Sequence, residues 1–440
     1  MCAALTCLAL PCLALPCLAL PLKCDELYGL RRRRQQLKEA RREEKRGRKM
    51  ASGSSKHHEA GRIQSASNGG RDNGGTGFSL QQLLLSAVAL VLIPSILFAF
   101  HNLNATQTAL QSPSAMMSKR SVAPATIATA AAKLQFAVQL SPTYENVDGT
   151  EYVWQIPSFS DPSKKVRGIV FFAHGCYGRS TFFWDTHPNC ENCTGMPEER
   201  LLTLNSLSRG YAVIAVSSTA ECWKASVDVP KVVTVLKSWT ARYRLEHLPV
   251  VALGASSGGY FVSILAAQYK FQSLVIQISY LGKVDGMVID STYPPTLFVY
   301  MPKDTRLALR IKDSRNLLRS KGVETDEVLC TELKVTPHFF SNKIPAINDD
   351  VSEKLVAVFK DYGLLNHAGY MKLDGRSSGW IGPVRKRNVL PFAMRRKLER
   401  HLEEELNLAY AFHEMTSVPA EAILDWFDAH SHTSSLIESS

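Results

Sequence analysis

Val250-Val251-Ala252-Leu253-Gly254-Ala255-Ser256-Ser257-Gly258-Gly259-Tyr260-Phe261-Val262-Ser263-Ile264-Leu265-Ala266 is the stretch that decides the fold. Val250 to Leu253 is a short apolar run that reads as a buried strand, and Gly259 to Gln268 reads as a helix. Between them lies a turn of small residues around Ser256. Strand, sharp turn and helix form the context in which a Gly-x-Ser-x-Gly run presents a nucleophilic serine. The neighbours must be small, because the backbone at such a turn is strained and lies close to adjacent strands. Gly254, Ala255, Gly258 and Gly259 meet that demand. The following helix aims its positive end at the serine, which favours developing negative charge. No lysine follows the glycines, so the run is not a phosphate-binding P-loop.

Outward from this turn, the sequence alternates strands and helices. Leu134 to Leu140 and Tyr152 to Ile156 read as opening strands, and Gly168 to Ala173 as a strand buried on both faces. Glu199 to Ser208 predicts a helix ending at Gly210, and Tyr211 to Val216 a strand. Val229 to Tyr243 predicts an amphipathic helix, and Leu274 to Ser279 and Thr296 to Tyr300 further strands. Thr305 to Leu318 is helical, and Glu327 to Val335 a last strand. This order predicts an α/β fold: a mostly parallel sheet with flanking helices and right-handed crossovers. An insertion, about 339–405, separates the last strand from the C-terminal part. It carries an amphipathic helix at Val351 to Tyr362, a hairpin-like stretch at Gly369 to Trp380 and a charged helix at Arg395 to Leu406. The insertion reads either as a lid over a site or as a surface embellishment. Pro419 to Ala429 is an amphipathic closing helix.

With these elements in place, the chain resembles the α/β-hydrolase superfamily over roughly Leu134 to Ser431. More narrowly it is similar to a little-described group of plant membrane-anchored α/β-hydrolases. The residues behind that likeness are His174-Gly175-Cys176, the run from Cys190 to Glu199, and Phe412-His413-Glu414-Met415-Thr416-Ser417. The resemblance implies an oxyanion hole made by the backbone N–H of Cys176, with Tyr177 as the alternative, and by that of Ser257. It implies a carboxylate after a late strand, for which Asp304 follows Thr296 to Tyr300. Asp304 also suits a helix N-cap, and Asp290 is the second candidate. The base expected before the closing helix is His413, giving the order Ser256, Asp304, His413. His338, just after the last strand, competes with it, while His430 and His432 read as exposed tail residues. The implied activity is that of a serine hydrolase acting on a carboxylic ester or related acyl compound, either a small molecule or a lipid. No cofactor and no metal are expected. A non-catalytic binding protein on the same fold, or a peptidase or thioesterase on the same triad, are the alternatives.

Composition places the rest of the chain. The net charge is +11, and Leu22 to Arg71 holds 15 Lys and Arg against 6 Asp and Glu, a net of +9. The basic character thus belongs to an N-terminal arm, and a nucleic-acid partner for the globular part is not expected. Residues 1–77 form a low-complexity and basic region expected to be disordered, opening with three repeats of Cys-Leu-Ala-Leu-Pro. Leu83 to Phe100 carries no charge over 18 residues, and with Phe78 to Gln82 it reaches the ~20 residues of a membrane helix. Residues 78–100 therefore read as a single transmembrane segment, a signal-anchor contacting the lipid bilayer, followed by a linker at 101–132 and the hydrolase domain at 133–432. Lys and Arg lie mostly on the N-terminal side, so the domain is expected to be lumenal or extracellular, in the endomembrane system. The sequons at Asn104 and Asn192 fit that side. Of ten cysteines, the globular part holds Cys176, Cys190, Cys193, Cys222 and Cys330. They allow two bridges and one free thiol, with Cys190 or Cys193 expected to pair with Cys176 or Cys222. One Cys-x-x-Cys with no second pair or His at ligand spacing is weak evidence for a zinc site. Oligomeric state is left open by the sequence.

Overall fold

Every residue of Gly168–Ala173 and of Tyr211–Val216 is buried. Such burial is what a strand shows when helices cover both faces of its sheet. A computed structural model describes residues 138–161 and 163–431 of the chain. The strands are β1 (Thr143–Val147), β2 (Thr150–Gln155), β3 (Gly168–Ala173), β4 (Tyr211–Val216), β5 (Val250–Ala255), β6 (Leu274–Gln277), β7 (Thr296–Tyr300) and β8 (Thr325–Leu329). They form one sheet of 8 strands in the order β1-β2-β4-β3-β5-β6-β7-β8. From β4 to β8 each neighbouring pair is parallel. The hairpin β1–β2 closes one edge and runs antiparallel to β4. Its turn, Asp148-Gly149, has φ values of 49° and 73°, the pair of positive angles that a tight hairpin favours.

The helices are α1 (Pro197–Ser208), α2 (Ala225–Tyr243), α3 (Ser257–Leu265), α4 (Thr305–Ser320), α5 (Asp349–Asp361), α6 (Ile381–Lys386), α7 (Arg395–Tyr410) and α8 (Ala420–His430). The main core joins the sheet to Trp239, Phe261 and Phe427, each at most 1% exposed. A second core lies within the insertion and its flanks, built on Phe340, Phe359, Trp380, Leu398 and Leu402. Phe359 packs edge-on against both Phe340 and Trp380. The insertion is therefore a packed body in its own right.

Several expected elements shift. Residues 138–142 are not a strand, and the first strand begins after Pro142, whose missing N–H cannot serve a ladder. The last strand is Thr325–Leu329 rather than Glu327 to Val335, because β7 offers only five partners and pairs them one to one. Beyond it, Leu333 and Val335 donate to the carbonyls of Ala409 and Gly369, so the chain has turned to the insertion. The stretch from Gly369 to Trp380 is a series of turns, with one bridge between Leu365 and Met371 in place of a hairpin. The leader, the apolar segment 78–100 and the linker 101–132 lie outside the described residues. Among the described residues, no helix is long and apolar enough to cross a membrane.

Candidate active site

Ser256 caps α3 with φ 52° and ψ −115°, a backbone state that costs a non-glycine residue roughly 1–3 kcal/mol. The surrounding turn leaves it no other choice. Its N–H donates to the carbonyl of Gln277 at 3.0 Å, and its carbonyl accepts from Tyr260 N–H at 3.0 Å. A Cβ on Gly254 would lie 2.2 Å from the carbonyl oxygen of Gly258, and one on Gly258 would lie 2.2 Å from that of Ala173. Both glycines are thus fixed by backbone contact, which explains the motif sterically.

His413 reaches this serine. Its Nε2 lies 3.1 Å from Ser256 Oγ, and its Nδ1 lies 3.2 Å from Asp304 Oδ2. Asp304 also caps α4, its Oδ1 accepting from Leu307 N–H at 3.1 Å. The two roles weighed for Asp304 are met by its two oxygens. Burial pushes the Asp304 carboxyl up, but the hydrogen bonds from His413 and from Leu307 N–H outweigh it, so the group titrates below its ordinary value. An ionised carboxylate only accepts. Nδ1 of His413 must then carry the ring proton, which leaves Nε2 to accept from the Ser256 hydroxyl.

His413 sits on the segment between α7 and α8, held from three directions. Ala411 ends α7 in a left-handed turn with φ 56°. From the insertion, Arg376 donates to the His413 carbonyl at 3.0 Å and pairs with Glu414, which also accepts from Asn407 at 2.8 Å. Asp374 holds the other side of the guanidinium at 3.2 Å. From the sheet, the Gln277 amide exchanges two bonds with the Thr416 backbone, donating to its carbonyl at 2.8 Å and accepting its N–H at 2.9 Å. From α1, buried Glu198 accepts from Ser417 N–H at 2.6 Å. Glu198 is in turn paired with Lys343 at 2.8 Å, and the Lys343 ammonium offsets the burial that would raise its pKa. Gln277 and Arg376 were not expected from the sequence. A glutamine ending the apolar strand Leu274–Gln277 is a signal for the first, since a buried amide needs partners. No local pattern marks Arg376.

The turn after β3 faces the serine. A Cβ on Gly175 would stand 3.8 Å from Ser256 Cβ. His174, fully buried, has Nε2 3.0 Å from Ser218 N–H and Nδ1 2.7 Å from the Gly175 carbonyl. Nε2 therefore accepts and Nδ1–H donates. Burial holds this imidazole neutral, its pKa lowered to about 4. By fixing the Gly175 carbonyl, His174 also fixes the Cys176 N–H of the same planar peptide, which points the opposite way. Tyr177 N–H is donated to the Glu221 carbonyl at 2.5 Å, which leaves Cys176 as the candidate donor on this turn. Ser257 is the first residue of α3, and first-turn N–H groups have no partner within a helix.

The other candidates are placed elsewhere. His338 is half exposed and pairs with Asp349 at 3.1 Å, on the insertion's own start. It lies there because β8 ends at Leu329, earlier than expected. Asp290 is exposed and holds the Thr292 N–H and hydroxyl in a local turn, at 2.8 and 2.6 Å. His430 is not an exposed tail residue: its side chain is 14% exposed, near Glu324. His432 lies outside the described residues. The bridges are Cys176–Cys222 and Cys190–Cys193, with Cys330 free and buried, so the expected cross-pairing is corrected. Cys222 and Trp223 brace the turn after β3, the first through its bridge to Cys176 and the second by its indole donating to the His174 carbonyl at 2.8 Å. Among the described residues no group of His, Cys, Asp and Glu is arranged to hold a metal ion.

No protein-family model matches the sequence, and no curated protein matches it. Among solved structures, the chain is similar to an alpha/beta hydrolase enzyme from a Medee basin deep-sea metagenome library, at 15% identity and a TM-score of 0.33, over 51% of this chain and 95% of that one. It is also similar to a dienelactone hydrolase from Anabaena variabilis, at 18% identity and a TM-score of 0.32, over 44% and 87%. A third is Est1E from Butyrivibrio proteoclasticus, at 14% identity and a TM-score of 0.31, over 44% and 89%.

Proposed function

We propose that the protein is a serine hydrolase of the α/β-hydrolase type, cleaving a carboxylic ester or related acyl bond in a small-molecule or lipid substrate. The observation that carries this reading is the hydrogen-bonded relay from Asp304 through His413 to Ser256. Ser256 Oγ attacks the acyl carbonyl as His413 Nε2 takes its proton. The Asp304 carboxylate keeps Nδ1–H in place and balances the imidazolium. The N–H groups of Cys176 and Ser257 bind the oxyanion. His413 then protonates the leaving group, and the acyl group stays on Ser256. Water, deprotonated by His413, attacks that ester, releasing the acid and the free serine. A peptidase or thioesterase would run the same steps with another leaving group. A fold retained for binding alone has no need of an aligned base, so the relay speaks against that alternative.

The two disulfides support an oxidising compartment for the domain. That agrees with a single-pass arrangement in which residues 78–100 span the bilayer and the domain is lumenal or extracellular. A fluorophosphonate probe tests the chemistry. Wild type is expected to label, Ser256→Ala to lose all label, and His413→Ala to label about 10³-fold more slowly or less. Folded wild-type protein that takes up no probe at Ser256 would sink the reading.

A further inference from the structure

Pro391-Phe392-Ala393-Met394 are four consecutive exposed residues at the tip of the insertion. Phe392 is 86% exposed, on a short 3-10 turn that leads into α7. The tip is not loose at its base. Leu390 and Leu398, on either side, are 2% and 0% exposed in the second core. Cations flank the tip in sequence: of the residues from Arg385 to Arg400, seven are Lys or Arg, and Glu399 alone is acidic. Arg385 is matched by Glu399 at 2.6 Å and Arg387 by Asp361 at 3.1 Å. The Arg395 guanidinium lies 5.3 Å from the Phe392 ring centroid and bonds the neutral Asn388 side chain. Lys386 and Arg396 are exposed, and Lys397 lies partly so beside them.

An exposed apolar point flanked by long cationic side chains suits a lipid interface. The ring enters the acyl boundary and the cations meet anionic headgroups. Charge complementarity favours this occupant over a protein groove. The apolar part is one run of four exposed residues headed by Phe392, and the flanking charges sit on long stems that suit a fluid array of phosphates better than a fixed set of partners. We infer that the tip 391–394, with Lys386, Arg395, Arg396 and Lys397, docks the insertion on an anionic membrane surface. This contact is additional to the segment 78–100; it is an affinity of the tip for anionic headgroups and rests neither on the hydrolase reading nor on the side of the bilayer proposed for the domain.

The test uses the full chain with Phe392→Trp, reconstituted in vesicles whose lipids carry brominated acyl chains. Of the six native tryptophans, Trp154, Trp184, Trp239, Trp380 and Trp426 are at most 9% exposed, so wild type supplies the background. In vesicles containing phosphatidylserine, the variant is expected to show roughly twofold more quenching than wild type. Adding Arg395→Glu, Arg396→Glu and Lys397→Glu should remove the excess, with thermal unfolding reporting separately on the fold. No excess quenching of the Phe392→Trp protein overturns the inference. Equal excess in phosphatidylcholine alone overturns it too, because the cations would then play no part. A response to soluble polyglutamate but not to vesicles would assign the tip to an acidic protein instead.

Discussion

The elbow at Ser256 and the segment at His413 deliver two atoms 3.1 Å apart, yet they are built in opposite ways. The elbow is local. Its strained residue, the contact of Gly254 with Gly258 and its helix start all fall between Gly254 and Tyr260, and its longer-range contacts, such as Gly258 on the Ala173 carbonyl, are with the ends of adjoining strands. The His413 segment has no such self-sufficiency. It has no regular structure, and its position is set by Arg376, Gln277 and Glu198, which reach it over sequence separations of 37, 139 and 219 residues. An elbow of this kind can be read from a short run of sequence because the small residues that the adjoining strands demand all fall within that run. A base brought from another part of the chain must be specified by hydrogen bonds, and these come from wherever the fold supplies them.

Three experiments press on this contrast. The largest effect is expected at the elbow. Gly258→Ala would drive a methyl into the Ala173 carbonyl, a backbone atom that cannot yield cheaply. The variant should lose about 3 kcal/mol or more of stability together with all labelling, measured by thermal unfolding and probe uptake. A Gly258→Ala protein that melts like wild type would show that the elbow is not sterically fixed. Next comes the remote support. Arg376→Ala should leave the fold melting within a few degrees of wild type and lower kcat by about 10²-fold with little change in KM, because the histidine is misplaced rather than the substrate. Arg376→Lys should restore part of it. If kcat is unchanged, the insertion does not position His413.

The third experiment concerns the turn after β3 and is read by pH. An unfolded histidine takes a proton near 6.5, whereas buried His174 stays neutral down to about 4. The unfolded state therefore binds more protons in that window, and this group's share of stability is lost as pH falls from 6.5 to 4. The full shift corresponds to roughly 3 kcal/mol at most. His174→Gln should flatten the pH dependence of unfolding free energy by about that amount. An unchanged slope would mean that the turn does not exclude the charged imidazole.

The same contrast explains what could be read from the sequence. Six strands and the elbow follow from apolar runs and small residues that are contiguous, and periodicity sees these well. Asp304 was legible because a strand end and a helix cap coincide there. His413 was legible from its place before the closing helix. The insertion was not. Reading it as a lid or as an embellishment missed its use as a support, because the pairing of Arg376 with Glu414 joins two ordinary surface-type residues with no spacing rule between them. The first strand and the end of β8 were displaced because pairing partners, rather than local preference, set where they start and stop.

Gln277 gives the site a common datum. Its main chain receives the Ser256 N–H, and its side chain grips Thr416, three residues beyond His413. Ser256 and the His413 segment are therefore both tied to one residue at the end of a central strand. A displacement of that strand end would carry Ser256 and the His413 segment together. A tolerance that would otherwise accumulate over more than a hundred residues of intervening chain is closed at a single buried amide.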